Sequence, residues 1–319
     1  MSIKIRPMAD SDLAAVVALF KTLGMSISEE SYRRFFIGKI PSGGEGVPRG
    51  GLEVVDQEAG CVGFEGMTAC AIYLNGKPMS ACILGALGIR PGFGGTMFDL
   101  MDHVGEIAKS RLTFANTCNS KASQLMVQYA GFSRGPVRNA FIQFAVLPIG
   151  FFLQKGMDSV NEFEQIKSSD FWMRYLESCR GVVLDRTPER IERLFGAAIR
   201  EKRAAVVIVK EKGQIVGYAV LHAVEVPKLH ARRFKIVDLI ALRNDRRVLR
   251  RLVAKCKWYA AAHGGIVLEY VGACDVFRWK RKALSNTFIW SCGDDLVAKA
   301  LEDETTWFFG PYDGDRSMI

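Results

Sequence analysis

The sequence predicts an α+β protein made of two domains in tandem, each a central mixed β-sheet flanked by helices. Three observations lead there. Apolar runs of strand length alternate with segments of helical period along the chain. Two hairpin signals, Asn75-Gly76 and Lys212-Gly213, each join a pair of such runs. A strand-helix-strand-helix-strand block from "LGI" to "GFS" returns from "IAL" to "NTF" at similar length, which points to two copies of one fold. The 319 residues suit two domains of roughly 150 residues. Residues 1–150 are read as the first and 151–319 as the second, because apolar periodicity is lost in "LQKGMDSVNEF".

In the first half, "IKIRPM" is a strand and "DSDLAAVVALFKTLG" an amphipathic helix, with Asp10 or Ser11 as its N-cap and Gly24 beyond its end. "SEESYRRFFIGKI" is a second helix, opened by Ser28 with acidic residues in its first turn. The Gly/Pro-rich "PSGGEGVPRGG" is a loop. The apolar runs "LEVVDQ", "GCVGFEGMTACAIYL" and "MSACILGALGI" are strands, the last two joined at Asn75-Gly76, which tolerate positive φ. "TMFDLMDHVGEIAKS" places Met97, Leu100, Met101, Val104, Ile107 and Ala108 at helical spacing. "LTFANT" is a strand, "NSKASQLMVQYAG" a helix begun by Asn119 and stopped by Gly131, and "FIQFAVLP" a strand.

In the second half, "DFWMRYLESCRGVVLDRTPERIERLFGAAIR" reads as a helical lead-in. "AAVVIVKEKGQIVGYAVLHAV" is a strand pair, "FKIVDLIAL" a strand, "DRRVLRRLVAKCKWYAAAHGG" a long helix and "IVLEYVG" a strand. "CDVFRWKRKALSN" reads as a helix and "TFIWSC" as a strand, and the aromatic-rich "TTWFFGPYDGDRSMI" is expected to end in a flexible tail.

Composition excludes several classes. No stretch approaches the roughly 18 apolar residues of a membrane span, and the N-terminus carries charges where a signal peptide is apolar, so a cytoplasmic protein is expected. Eight cysteines, at positions 61, 70, 82, 118, 179, 256, 274 and 292, form no C-x-x-C pair, and only four histidines are present. Reduced, buried thiols are expected, without a metal or a disulfide framework. The net charge of +9 is concentrated in "KLHARRFK", "RNDRRVLRRLVAKCK" and "RWKRK". A helix carrying Arg246, Arg247, Arg250 and Arg251 can grip RNA, a phosphorylated cofactor or an acidic carrier protein, or serve as a solvated face.

The stretch "LGALGIRPGFGGTMFDLMDHV" runs from a strand through glycines into a helix. A helix start offers unsatisfied N–H groups and a dipole that favours an anion, and glycine lets a pyrophosphate approach the backbone. Gly92, Phe93, Gly94, Gly95 and Thr96 sit where such donors are needed, with the Thr96 hydroxyl as a further donor. A tight turn that only feeds the helix onto the sheet is the alternative.

The element order, with "IRPMADSDLAAVVALF" at the start and Asn119, Ala122, Gly131 and Phe132 in "NSKASQLMVQYAGF", resembles the GCN5-related N-acyltransferase superfamily, well over residues 3–145 and more weakly over 200–292. The resemblance implies an acyl thioester donor, acetyl-CoA or a longer acyl-CoA, and transfer to an amine. It implies that the strand from Leu87 to Ile89 splays from its neighbour and pairs its backbone with the pantetheine arm, and that Asn119 bonds the same arm. It places the usual general-acid tyrosine at Met126, with Tyr129 one turn further on, and the usual strand carboxylate at a position where only the second copy has one, Asp238. An aspartate in an apolar strand is costly unless paired or used, and an ion pair with an arginine is the structural alternative. Cys118 with His103 makes a weaker nucleophile-base pair, since no spacing specifies it.

The loop departs from the family pattern Arg/Gln-x-x-Gly-x-Gly/Ala. With Gly95 in the first glycine position, Gly92 takes the arginine position and Met97 the second small one, and Arg90 is left to replace the missing charge. The second copy has no glycine between strand and helix; Arg243, Arg246 and Arg247 can bind an anion by side chain, but the copy reads as degenerate. The expected function is transfer of an acyl group from acyl-CoA or an acyl-carrier protein to a small-molecule or carrier-bound amine. The alternatives are a Fem-like aminoacyl transferase that uses charged tRNA, with RNA on the basic second half, and a non-catalytic accessory protein.

Overall fold

The computed structural model describes residues 2–25, 27–37, 46–118, 120–134, 138–147, 162–179, 181–226, 231–272, 279–302 and 307–308. The chain divides into two units, Met1–Arg138 with Gly181–Asp185 and Asn286–Ile319, and Asn139–Arg180 with Arg186–Ser285. Each unit therefore draws on both halves of the sequence, where the sequence reading placed one boundary near residue 150.

In the first unit, β1 (Ile3–Pro7), β2 (Gly50–Asp56), β3 (Gly60–Leu74) and β4 (Lys77–Ile89) pair antiparallel in that order. Asn75 and Gly76, at φ 49° and 80°, make the tight turn between β3 and β4 whose twist matches the hairpin. Between β1 and β2 lie α1 (Leu13–Thr22) and α2 (Glu29–Tyr32), the latter widening into a π turn at Arg33–Ile37. Ser28 caps α2, accepting from the Ser31 amide at 3.1 Å. The caps expected for α1 are not used. Asp10 and Ser11 lie inside a 3₁₀ turn, and the carboxylate that closes the turn is Asp12, accepting from the Ala9 amide at 2.8 Å.

A crossover through α3 (Thr96–Lys109) brings β5 (Leu112–Cys118) parallel to β4. Leu100, Met101, Val104 and Ala108 point into the core with Leu52, Val54, Met67 and Leu84, as the helical spacing predicts. α4 (Ser120–Tyr129) and β6 (Ser133–Arg134) follow.

Two segments of the later sequence complete this unit. β8 (Val182–Leu184), inside the expected helical lead-in, is instead a fully buried strand on β3; it also pairs parallel with β14 (Trp307–Phe308). β13 (Trp279–Ser291), which belongs to this unit from Asn286 onward, pairs antiparallel with β5 through Thr287 to Ser291. The helix expected over "CDVFRWKRKALSN" is thus a strand from Trp279 onward, while residues 273–278 lie outside the described residues. Helix-forming lysine, arginine and leucine yield there to pairing with a sheet edge. α9 (Asp295–Glu302) packs Val297 and Leu301 onto the core formed by Ile72, Ile83, Phe114, Leu184 and Trp290.

In the second unit, β9 (Ala204–Glu211), β10 (Gln214–Val226) and β11 (Ala231–Ala241) form an antiparallel meander, turned at Lys212-Gly213 with φ 49° and 82°. α8 (Arg246–Ala262) leads to β12 (Gly265–Gly272), parallel to β11, and β7 (Arg138–Val146) adds antiparallel to β12. α5 (Phe163–Lys167), α6 (Phe171–Ser178) and α7 (Pro188–Arg200) complete the unit. The pairings of β9, β10, β11, α8 and β12 repeat those of β2, β3, β4, α3 and β5. The sheets are mixed and flanked by helices, the α+β class that the sequence predicts.

Among the described residues, Cys61, Cys70, Cys82, Cys179 and Cys256 are free and buried, and Cys292 is half-buried. Burial pushes the Cys61 thiol up to about 11 and raises Cys82 and Cys256 further, so none of them is a ready nucleophile. No described helix is long and apolar enough to cross a membrane. The expected flexible tail and the Asn119 helix start lie outside the described residues.

Candidate functional site

Three features of the first unit meet along β4. The first is a bulge. Between Gly85 and Gly88 β4 has two residues, Ala86 and Leu87, where β3 has one, Glu65, between Gly66 and Phe64. Ala86 lies in this bulge at φ 62°, a left-handed conformation that a residue with a Cβ rarely adopts and that folds tend to retain at working sites. A Cβ on Gly66 would collide with the Gly85 carbonyl oxygen, so glycine is required for the two backbones to approach here.

The second feature is a parting of strands. Among the described residues β4 and β5 pair only from Ala81–Leu112 to Ile83–Phe114, although β4 runs on to Ile89 and β5 to Cys118. Beyond Ile83 the β5-facing backbone of β4 keeps N–H and C=O groups that this ladder does not use. Leu87 and Ile89 lie in that stretch, and their side chains pack on the core below it.

The third is the head of α3. The amides of Phe93, Thr96, Met97 and Phe98 donate to the carbonyls of Arg90, Phe93, Gly94 and Gly95 at 3.0 to 3.4 Å, while those of Gly94 and Gly95 have no backbone acceptor among the described residues. A Cβ on Gly92, Gly94 or Gly95 would meet nothing within 4 Å. Gly92 is explained by its φ of 92°. Gly95 is not, since its φ of −61° and ψ of −30° suit any residue. Gly94 and Gly95 lie on the exposed surface of this turn, and at Gly95 neither backbone geometry nor packing requires a glycine.

Two expectations at this turn are corrected. The Thr96 hydroxyl donates to the Phe93 carbonyl at 2.8 Å and is buried, so its proton tightens the turn instead of reaching outward. Arg90 does not supply the missing charge. Its guanidinium donates to the carbonyls of Ala59 at 3.2 Å and Cys61 at 3.0 Å, tying down the turn between β2 and β3. Phe93 packs its ring on the core, and only its backbone belongs to the turn.

Tyr129 ends α4, 49% exposed, with its ring edge-to-face on Phe98 at 4.8 Å. Asp238 is fully engaged. Arg186 Nε donates to Oδ1 at 3.2 Å, the Tyr218 hydroxyl to Oδ2 at 2.8 Å, and the Leu239 amide to Oδ1 at 3.1 Å. Burial and the Asp238 charge hold the Tyr218 hydroxyl well above its usual pKa, so the tyrosine stays the donor. His103 is exposed, with Nδ1 2.8 Å from the Asp99 carbonyl, and the Cys118 side chain lies outside the description. Among the described residues no cluster of His, Cys, Asp and Glu is arranged to hold a metal.

Sequence reasoning missed three buried carboxylates in the first unit, of which Asp56, at the end of β2, accepts from the Glu58 and Ala59 amides at 3.0 and 2.9 Å. Glu65 on β3 lies at the register of the bulge, 1% exposed. Glu53 on β2 meets Arg6 at 2.5 Å, and Arg6 also reaches Asp12 at 3.2 Å. Burial first, and the Asp12 charge second, raise Glu53 to about 7 despite the arginine. Asp12 goes the other way: burial opposes ionisation, but the Ala9 amide, Glu53 and Arg6 together lower it. The signal was available, because Glu53 and Glu65 interrupt apolar strands as Asp238 does.

The fold that carries these features is that of the GCN5-related N-acetyltransferases. Solved structures agree. A GCN5-related N-acetyltransferase from Anabaena variabilis superposes with a TM-score of 0.58 at 13% identity, over 93% of this chain and 74% of its own. Saccharomyces cerevisiae N-myristoyltransferase with bound myristoyl-CoA gives 0.58 at 10% identity, over 91% and 82%. A probable N-acyltransferase from Enterococcus faecalis gives 0.56 at 11% identity, over 92% and 73%. No protein-family model matches the chain, and no curated protein matches it in sequence.

Proposed function

We propose that the chain is an N-acyltransferase that takes its acyl group from an acyl-CoA and passes it to an amine on a small molecule or a carrier. The observation that carries this reading is the parting of β4 from β5 beside the open head of α3. The opening suits a ligand with an anionic head and an amide-bearing arm. The pyrophosphate would meet the Gly94 and Gly95 amides at the positive end of the helix dipole. The two amides of the pantetheine arm would extend β4 in the manner of an added strand, along Leu87 to Ile89. The amine must lose a proton as the carbonyl is attacked, and Glu65, the buried carboxylate at the bulge register, is our candidate for directing that proton.

The test is calorimetry and thermal shift with acetyl-CoA and myristoyl-CoA on the full chain. A donor held at this site raises stability by about 2.7 kcal/mol at a hundredfold excess over Kd. Gly95→Trp, which fills the open space, removes that gain while leaving the unliganded melting temperature close to wild type. Absence of any shift with either thioester, or an unaltered shift in Gly95→Trp, overturns the reading. If Glu65 directs the proton, Glu65→Gln lowers kcat by roughly 10² or more with KM for the donor little changed.

A further inference from the structure

The second unit carries a helix whose surface runs against its own electrostatics. α8 has 17 residues, with Arg246, Arg247, Arg250, Arg251, Lys255 and Lys257 among them and no aspartate or glutamate. Arg246 and Arg247 occupy the first turn, where the helix dipole disfavours cations. Arg246 with Arg250, Arg247 with Arg251, and Arg251 with Lys255 are like-charge pairs at a spacing of four, each destabilising by about 0.2 to 0.5 kcal/mol. Asp245, just before the helix, is occupied as the N-cap, accepting from the Arg247 amide at 2.7 Å. Local rules broken with only partial compensation, Arg251 by Glu211 and Lys255 by Glu162, mark a surface retained for another purpose.

The charges lie together. Val248, Leu252, Val253, Cys256 and Ala260 take the buried side, and all six cations are exposed on the other. Arg251 is engaged with Glu211 at 2.7 Å, and Lys255 donates to the Ile208 carbonyl at 2.8 Å. Arg243, Arg246, Arg247 and Arg250 form no ion pair among the described residues. At 100° per residue, Trp258 falls within about 20° of Arg247 on the same stripe, and it is 44% exposed.

We infer that this face of α8 binds the backbone of a single-stranded nucleic acid. The cluster is dominated by arginine, whose planar fork matches phosphate oxygens, and an exposed indole within the stripe gives an unpaired base a stacking surface. An acidic protein would be met as well by lysine. The inference does not depend on the donor site of the first unit.

The probe is a labelled single-stranded RNA of about 20 nucleotides, with DNA of the same sequence alongside, titrated against the full chain by anisotropy over a range of KCl concentrations. Binding of either strand that weakens linearly with log salt is expected. Arg247→Glu with Arg250→Glu lowers affinity at least about tenfold and reduces the log–log slope by about 1.4, the share of two phosphates on a single strand. Trp258→Ala lowers affinity about fivefold or more. The control pair Lys4→Glu with Lys21→Glu, exposed residues of the first unit with the same charge change, leaves affinity near wild type. The arginine variants replace exposed side chains, and glutamate near the start of α8 suits the dipole, so their melting temperature is expected to hold or rise. Absence of saturable binding, equal loss in the control pair, an unchanged Kd in Trp258→Ala, or displacement of the RNA by polyglutamate at equal charge overturns the inference.

Discussion

Glu53 and Asp238 are both acids inside apolar strands, and the structure gives them opposite electrostatic histories. Asp238 is met by a guanidinium, a phenol and an amide, so it serves as a hub of the second unit's core. Asp238→Asn should destabilise that unit by about 3 kcal/mol, because it breaks the ion pair of Asp238 with the buried Arg186, and a urea unfolding series measures the loss. Glu53 shares one arginine with Asp12, and only one carboxylate of the pair ionises freely. With a folded pKa near 7 against an ordinary 4.5, Glu53 holds its proton more tightly in the native state. Its contribution is present at low pH and is lost as pH rises through this window. The Asp12 contribution falls away only on acidification below its ordinary 3.8, outside that window. Glu53→Gln should therefore flatten the decline between about pH 4.5 and 7 and stabilise the protein at pH 8 by on the order of 2 kcal/mol, read from unfolding at each pH against wild type. The sequence marked these positions by burying a charge in an apolar run; the partners that decide each role come from other strands and helices and leave no local trace.

Elements whose signals are local were legible, and those set by distant pairing were not. Asn75-Gly76 and Lys212-Gly213 impose their turns through backbone preference alone, and the stripe of Leu100, Met101 and Val104 follows from period. β8 and β13 owe their conformation to the strands they join, so a short buried run and a lysine-rich segment both read as helix. The head of α3 lies between these cases. Its glycines were visible, but the commitment of Arg90 to the β2–β3 turn was not. Gly95 separates what the helix needs from what a ligand needs. Its backbone angles suit alanine and a Cβ there meets nothing, so Gly95→Ala should leave the free protein as stable or up to about 1 kcal/mol more stable. The same variant should weaken acyl-CoA binding, because the methyl occupies the approach to the amides. Paired thermal melts, with and without acetyl-CoA, check both signs; a stabilised variant with undiminished affinity would return this glycine to the role of a plain turn.

At the scale of the whole chain, the internal repeat was legible and the assignment of its closing strands was not. Sequence neighbours usually neighbour in space, so the strand after α4 was expected to close the first sheet and the last strand the second. Instead β5 receives β13, and β12 receives β7. Ile289 and Trp290 of β13 are buried in cores of the first unit, and β8 adds Val182 and Leu184 to the same unit. A fragment of residues 1–150 would thus lack a strand on one edge of β5, the strand on β3, and α9 with its buried Val297 and Leu301. The apolar side chains on β5 and β3 that those elements cover would be left in water, at about 1.5 to 3 kcal/mol for each large one. Such a loss matches or exceeds the whole stability of an ordinary domain of this size. The fragment is therefore expected to show no cooperative thermal transition and to bind hydrophobic dyes. Coexpression with residues 151–319 should restore a cooperative melt and a soluble complex of one copy of each, measured by calorimetry and light scattering. A two-state transition in the isolated 1–150 fragment would mean that the strands contributed from the second half are dispensable to the first sheet.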